Sequence, residues 1–275
     1  MAGGSGALFE RTSRMVWLTP LGAEFRRGAR EGRDELARTL RDCQAMARGI
    51  SGQLRVAYNQ SVGGQFVTRL VSAFERRYSQ CQVVLTAAIL GRDLPGLFQA
   101  GTVPEVVLTW SPGGDGSVLE EPGLSVGPVL AEEDRAVVVP VGHPLAGFKT
   151  VSVEDLADYI MLHPASSVSA RFSAAWTPLI TPSGRPIRHT AEDIHTLIGR
   201  DHVIMEDVLA LVARGVGVHC TVLGALERSP FPGLTVVPVR ELPPVVVVPI
   251  WVTAAENELV RTFVEFAAGH LDEAG

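Results

Sequence analysis

The sequence predicts an α/β protein of two lobes, preceded by a short strand pair and one long helix. Three observations predict it. From residue 52 onward, apolar β-branched runs alternate with amphipathic stretches, the pattern of repeated β-α units. Residues 20–47 instead carry one unbroken helical stripe. The length of 275 residues, at roughly 150 per domain, holds about two lobes behind that helix.

Each element has its own signal. Residues 8–19, LFERTSRMVWLT, read as strand, polar turn, strand. Thr19-Pro20 starts a helix, with Thr as N-cap and Pro at the first helical position. Its apolar or small positions are 21, 25, 29, 36, 40, 43 and 47. At 1.5 Å per residue this helix is about 42 Å long, too long for the small N-terminal piece to cover. It wants a partner helix, as in a coiled-coil dimer; packing along its own domain is the alternative. Residues 49–52, rich in Gly, end it. Strands are then expected at 54–58, 83–88, 106–110, 135–141, 159–163, 187–190, 216–222, 234–239 and 245–252. Helices are expected at 64–78, 91–100, 153–159, 166–177, 192–199, 207–214 and 255–271. Residues 111–127, rich in Gly and Pro, read as a loop. The alternation implies parallel sheets covered by helices.

Composition excludes several classes. Hydrophobic residues are 46% and charged residues 20%, a globular mix rather than a disordered one. The longest apolar run, 245–255, is interrupted by Pro249 and too short to span a bilayer, so no membrane association is expected. The start MAGGSGALFERTSR has no signal-peptide core, and Cys43, Cys81 and Cys220 form neither a metal spacing nor a disulfide framework. A cytoplasmic protein is expected. Net charge is −6, against a purely electrostatic nucleic-acid binder. Residues 1–50 nevertheless hold nine Arg against six Asp and Glu, while the rest holds 15 basic against 24 acidic residues. The basic start reads either as a solvated helix face or as the remnant of a module lying near phosphate.

No catalytic constellation stands out. Of the seven His, none has HExxH-type spacing, and no GxSxG elbow or Walker loop occurs. Neither an enzyme, nor a cofactor, nor a bound metal is expected. His143 reads as structural, and His219 as a satisfied, partly buried side chain. The acid runs Glu120-Glu121, Glu132-Glu133-Asp134 and Asp272-Glu273 read as solvated. Redox sensing at Cys220 lacks a resolving partner, since Cys81 belongs to the other lobe.

Four stretches then resemble the LysR-type transcriptional regulators. LFERTSRMVWLTPLGAEF is similar to their wing and linker-helix start, and GQLRVAYNQSVGGQFVTRLVSAFERRYSQCQVVL to the first strand and helix of their effector domain. VVVPVGHPLAGFKTVSVEDLADYIML and EDVLALVARGVGVHC resemble two further stretches, in the family's order. The resemblance implies a two-lobed effector domain like a type 2 periplasmic binding protein, behind a remnant wing and a long linker helix. It implies a cytoplasmic dimer or tetramer with three partners: a small-molecule effector, promoter DNA and itself. The division becomes 1–19 wing, 20–50 dimerisation helix, 52–136 with 250–275 the first lobe, and 137–249 the second. The family's recognition helix precedes the wing, and only seven residues precede Leu8, so the start lies upstream or the gene is truncated. Arg11 and Arg14 on the wing then give phosphate contact without base readout. The alternative is a stand-alone effector-binding and dimerising protein with no specific DNA affinity.

Ligands of two-lobed α/β proteins bind at strand C-termini and helix N-termini facing the cleft. Four segments qualify: Asn59-Gln60-Ser61, Thr109-Trp110, Ser166-Ser167, and Val218-His219 with Cys220 next. Free N–H groups with hydroxyls at two helix starts favour a carboxylate. Helix capping is the plain alternative for these Ser and Asn residues, and core packing for Trp110. Ile89-Leu90-Gly91 is apolar where family members often carry polar residues, which favours a partly hydrophobic effector.

Overall fold

The computed structural model describes residues 7–11, 16–47, 50–88, 98, 103–165, 168–199 and 203–270. The chain divides into two compact units, Met1–Ile50 and Ser51–Gly275.

In the first unit, β1 (Phe9–Arg11) pairs antiparallel with β2 (Val16–Leu18), Phe9 opposite Leu18. Helix α1 (Pro20–Ala47) follows without a break. Thr19 caps it as its sequence demands: its Oγ1 accepts from Gly22 N at 2.9 Å and donates to Ala7 O at 2.8 Å. The strand pair packs so tightly on this first turn that a Cβ at Gly22 would lie 1.8 Å from the Leu8 carbonyl oxygen. Leu21, Phe25 and Leu36 of the apolar stripe are exposed.

The second unit holds two main sheets. The larger combines β3 (Gly52–Asn59), β4 (Cys81–Ala88), β5 (Val106–Pro112), β6 (Leu124–Val126) and β14 (Val245–Val252), in the order β4-β3-β5-β14-β6, with β7 (Ala131–Glu133) also on β14. The second has the order β12-β8-β13-β9, from β8 (Arg135–Pro140), β9 (Val151–Ser152), β12 (His219–Val222) and β13 (Leu234–Arg240). A parallel pair, β10 (Ile160–His163) and β11 (Arg188–Asp193), joins it through a bridge from Met161 to Val218.

The continuous apolar runs behave as strands covered on both faces. Every residue of β5 is buried, as are the first six of β14. Helices α2 (Gly64–Arg77) and α8 (Glu258–His270) meet over the larger sheet, with the Phe74 ring edge-on to Phe263 at 5.1 Å and to Phe266 at 5.5 Å. Across the second sheet, β8 alternates: Val137 and Val139 join the cluster around α3 (Val153–Leu156), and Val138 joins the one around α6 (Met205–Ala213).

The sheets are mixed, not parallel as the alternation implied. β3 runs parallel to β4 and β5, but β14 is antiparallel to β5, β6 and β7, and β8 is antiparallel to β12 and β13. The chain crosses between the sheets twice: it leaves the larger sheet after Glu133 and returns to it at Val245, where β14 lies antiparallel to its neighbours. All of β8 and all of β14 keep to one sheet, so the crossings fall at 133–135 and 240–245, beside the expected divisions at 136/137 and 249/250. The expected loop at 111–127 contains β6 and a 3-10 turn at Ser117–Leu119. Helix α7 (Ala225–Arg228) and strands β7 and β9 have no counterpart in the sequence reading. The helix expected at 91–100 falls outside the described residues except at Phe98. The one expected at 166–177 is α4 (Ala170–Trp176), with α5 (Ile194–Ile198) after β11.

Candidate functional site

The C-terminal end of β3 delivers Asn59 into an extended conformation ahead of a 3-10 turn, Gln60–Val62. The Asn59 Oδ1 accepts from Ser61 N at 3.1 Å and from the Ser61 hydroxyl at 2.8 Å. Ser61 Oγ in turn accepts from the Trp110 indole N–H at 3.0 Å. Asn59 is therefore a cap, and its role is to aim Ser61, which fixes a buried Trp. Gly63 follows at φ +99°, where a Cβ would press within 2.8 Å of Arg228 Cδ.

Arg228 closes this corner. Its Cζ lies 5.7 Å from the Trp110 ring centroid, within cation–π range. Its Nη2 donates to both carboxylate oxygens of Glu133, at 3.0 and 2.8 Å. Gly224 N also donates to Glu133. The expectation that Glu132-Glu133-Asp134 is solvated fails at Glu133: β7 pairs it with Val245, and its side chain is only 20% exposed.

The facing wall is built by α4. Phe172 and Ala175 pack against the larger sheet's core, while the Trp176 indole N–H donates to Cys220 O of the second sheet at 2.9 Å. Arg135, 1% exposed, stacks on Trp176 at 5.1 Å and donates to the Ala175 and Trp176 carbonyls. A cation at a helix C-terminus satisfies carbonyls that have no partner within the helix. Ser61 and Trp110 from one side, and Trp176, Met205, Thr221 and Arg228 from the other, enclose a cavity of about 10 Å³. That is room for about one water molecule.

Of the expected site residues, the structure brings Ser61 and Trp110 to this cavity. Gln60 is exposed on the turn, and Thr109, buried, points to the opposite face of β5 from Trp110. Val218 is core: its N–H donates to Ile160 O and its carbonyl accepts from Leu162 N. His219 is buried with no hydrogen-bond partner at Nδ1 among the described residues, contrary to the satisfied side chain expected. Burial, aided by the Arg135 charge, pushes its pKa down to about 4. Burial also raises the Cys220 thiol, so it is no ready thiolate. Ser166, Ser167, Arg14 and the 89–91 stretch lie outside the described residues, as does the Arg11 side chain. Trp176, Thr221 and Arg228 were not singled out from the sequence, and Glu133 was read only as solvated. Among the described residues, no three His, Cys, Asp or Glu gather where a metal can be held. No helix there is long and apolar enough to cross a membrane.

A cavity walled by two sheets that the chain crosses twice is the arrangement the resemblance implied. Residues 47–272 match the LysR substrate binding domain. The chain belongs to the LysR family of transcriptional regulators. It is 25% identical over 261 residues to the HTH-type transcriptional regulator YfeR of Shigella flexneri, covering 94% of this chain and 76% of that one. Its fold is like that of full-length BenM, with a TM-score of 0.57 and 20% identity over 98% of this chain and 83% of that one. It is also like the BenM effector binding domain with its effector benzoate, with a TM-score of 0.57 and 18% identity over 81% of this chain and 93% of that one.

Proposed function

We propose that this LysR-family chain is a cytoplasmic, non-enzymatic regulator. It takes a small anionic or partly apolar effector between the two sheets of Ser51–Gly275 and dimerises through α1. The observation that carries the reading is the composite wall: Ser61 and Trp110 come from the larger sheet, Thr221 and Arg228 from the second sheet and its connection. A ligand there touches both sheets, so it favours one arrangement of them over another, the requirement for allosteric control. That the BenM effector domain holds benzoate supports an effector of this kind. The exposed Leu21, Phe25 and Leu36 support α1 as the self-contact, since one apolar stripe on a helix this long calls for a partner. Promoter recognition takes a helix in the major groove, and Arg11 and Arg14 of the wing add phosphate contact only.

The test is electrophoretic mobility of the protein isolated from its native host, on the DNA beside its own gene, with and without fractionated host metabolites. The expected result is a sequence-specific shift whose mobility or affinity changes with one fraction. No sequence-specific shift would contradict the regulator and leave a stand-alone effector-binding, dimerising protein.

A further inference from the structure

Arg228 and Glu133 stand 95 positions apart and belong to different sheets' surroundings. Glu133 is on β7, an edge of the larger sheet; Arg228 ends α7, between β12 and β13 of the second. Their contact therefore ties the two sheets together beside the cavity that Arg228 lines. The guanidinium lies on Trp110, its Nη2 is held by a carboxylate, and its Nε is buried with no partner among the described residues. It is a prepared carboxylate receptor, already filled by one of the protein's own side chains. Arg is suited to this role because its planar fork matches two carboxylate oxygens.

We infer that Arg228 is the residue that recognises the effector, that the effector carries a carboxylate, and that Glu133 is the internal ligand it replaces. This rests on the regulator reading of the same cavity. The rest of the effector is apolar or aromatic, because Trp110, Trp176, Met205, Val222 and Ala225 supply the neighbouring walls. With room for about one water molecule in the present arrangement, such a ligand enters only when Arg228 leaves Glu133. Exchange of one carboxylate for the other removes a tie between the sheets, which links occupancy to their arrangement. Competition from Glu133 also lowers apparent affinity by the fraction of Arg228 it occupies.

The test needs neither the effector nor DNA, so its failure and that of the regulator reading are read separately. Glu133→Ala removes the internal carboxylate, and acetate is the probe that stands in for it. Thermal midpoints of the intact chain are followed against acetate, with equal chloride as the ionic-strength control. The expected result is a saturable rise in Glu133→Ala, half-complete at a concentration at least about tenfold below any effect on the natural chain. Glu133→Ala/Arg228→Met should show none of it. Glu133→Ser, smaller and polar, is the second variant; if either variant folds poorly in chloride, the readout is recovery of its circular dichroism on adding acetate. Acetate acting no better than chloride on both variants, or equally on the Arg228→Met double variant, overturns the proposal.

Discussion

The indole N–H of Trp110 donates to the hydroxyl of Ser61 at 3.0 Å, joining the middle of one strand to the turn that ends another. The Ser61 hydroxyl in turn donates to Asn59 Oδ1 at 2.8 Å, so two strands and the turn between them share one chain of hydrogen bonds. Removing its middle member leaves a buried N–H without an acceptor. Ser61→Ala should therefore cost about 1–3 kcal/mol, more than an exposed Ser would. Urea unfolding checks this, and the emission of Trp110 should broaden in the native baseline.

Arg135 predicts a larger loss. Its guanidinium ends α4 by donating to the Ala175 and Trp176 carbonyls, and it supports the ring of Trp176. Arg135→Met keeps the apolar stem but strands those carbonyls in a buried place. The expected cost is about 2–3 kcal/mol, with Arg135→Lys intermediate because an ammonium cannot form the same fork. Equilibrium denaturation of both variants measures it.

Both predictions concern residues that the sequence reading treated unevenly, for a physical reason. Ser61 was legible because it follows a strand and opens a helix, a local pattern. Apolar runs such as those of β5 and β14 were legible because burial on both faces leaves no polar alternation. Strand direction was not, because the period of two is the same in parallel and antiparallel strands. The Glu133–Arg228 pair was not legible for another reason: each sits in an ordinary charged stretch, Glu133 read as solvated, and only the tertiary fold brings them together. Val218 was misplaced because a strand end next to a Gly turn looks the same whether its side chain faces a cleft or the core. Its backbone is engaged with Ile160 and Leu162, which turns its side chain into the core.

His219 makes stability depend on pH in a stated direction. Its folded pKa of about 4 lies below the usual 6.5, so the unfolded chain binds its proton first. The contribution is fully present above about pH 6.5 and is lost as pH falls toward 4, on the order of 3 kcal/mol in all. Burial lowers His143 and His189 as well, with the same sign. The difference between the natural chain and His219→Leu isolates this residue: the variant's stability should fall less between pH 6.5 and 4 in denaturation at fixed ionic strength.

Gly22 predicts a local effect. A Cβ there meets the Leu8 carbonyl oxygen at 1.8 Å, so Gly22→Ala must push the strand pair off the first turn of α1. Overpacking of this kind costs about 1–3 kcal/mol, despite Ala's better helix propensity. Hydrogen exchange should speed up at Thr19 N and Ala23 N, which bond to Leu8 O and Thr19 O, while β3 to β5 keep their protection.

The most direct measurement is a calorimetric titration of the intact chain with small aryl and aliphatic carboxylates, each beside its amide, in the natural protein and in Trp110→Leu. At least one carboxylate should bind saturably while its amide does not, with affinity dropping about tenfold or more in Trp110→Leu as its aromatic wall is lost. Ligands that bind acid and amide alike, or that bind Trp110→Leu as well as the natural chain, would contradict this reading.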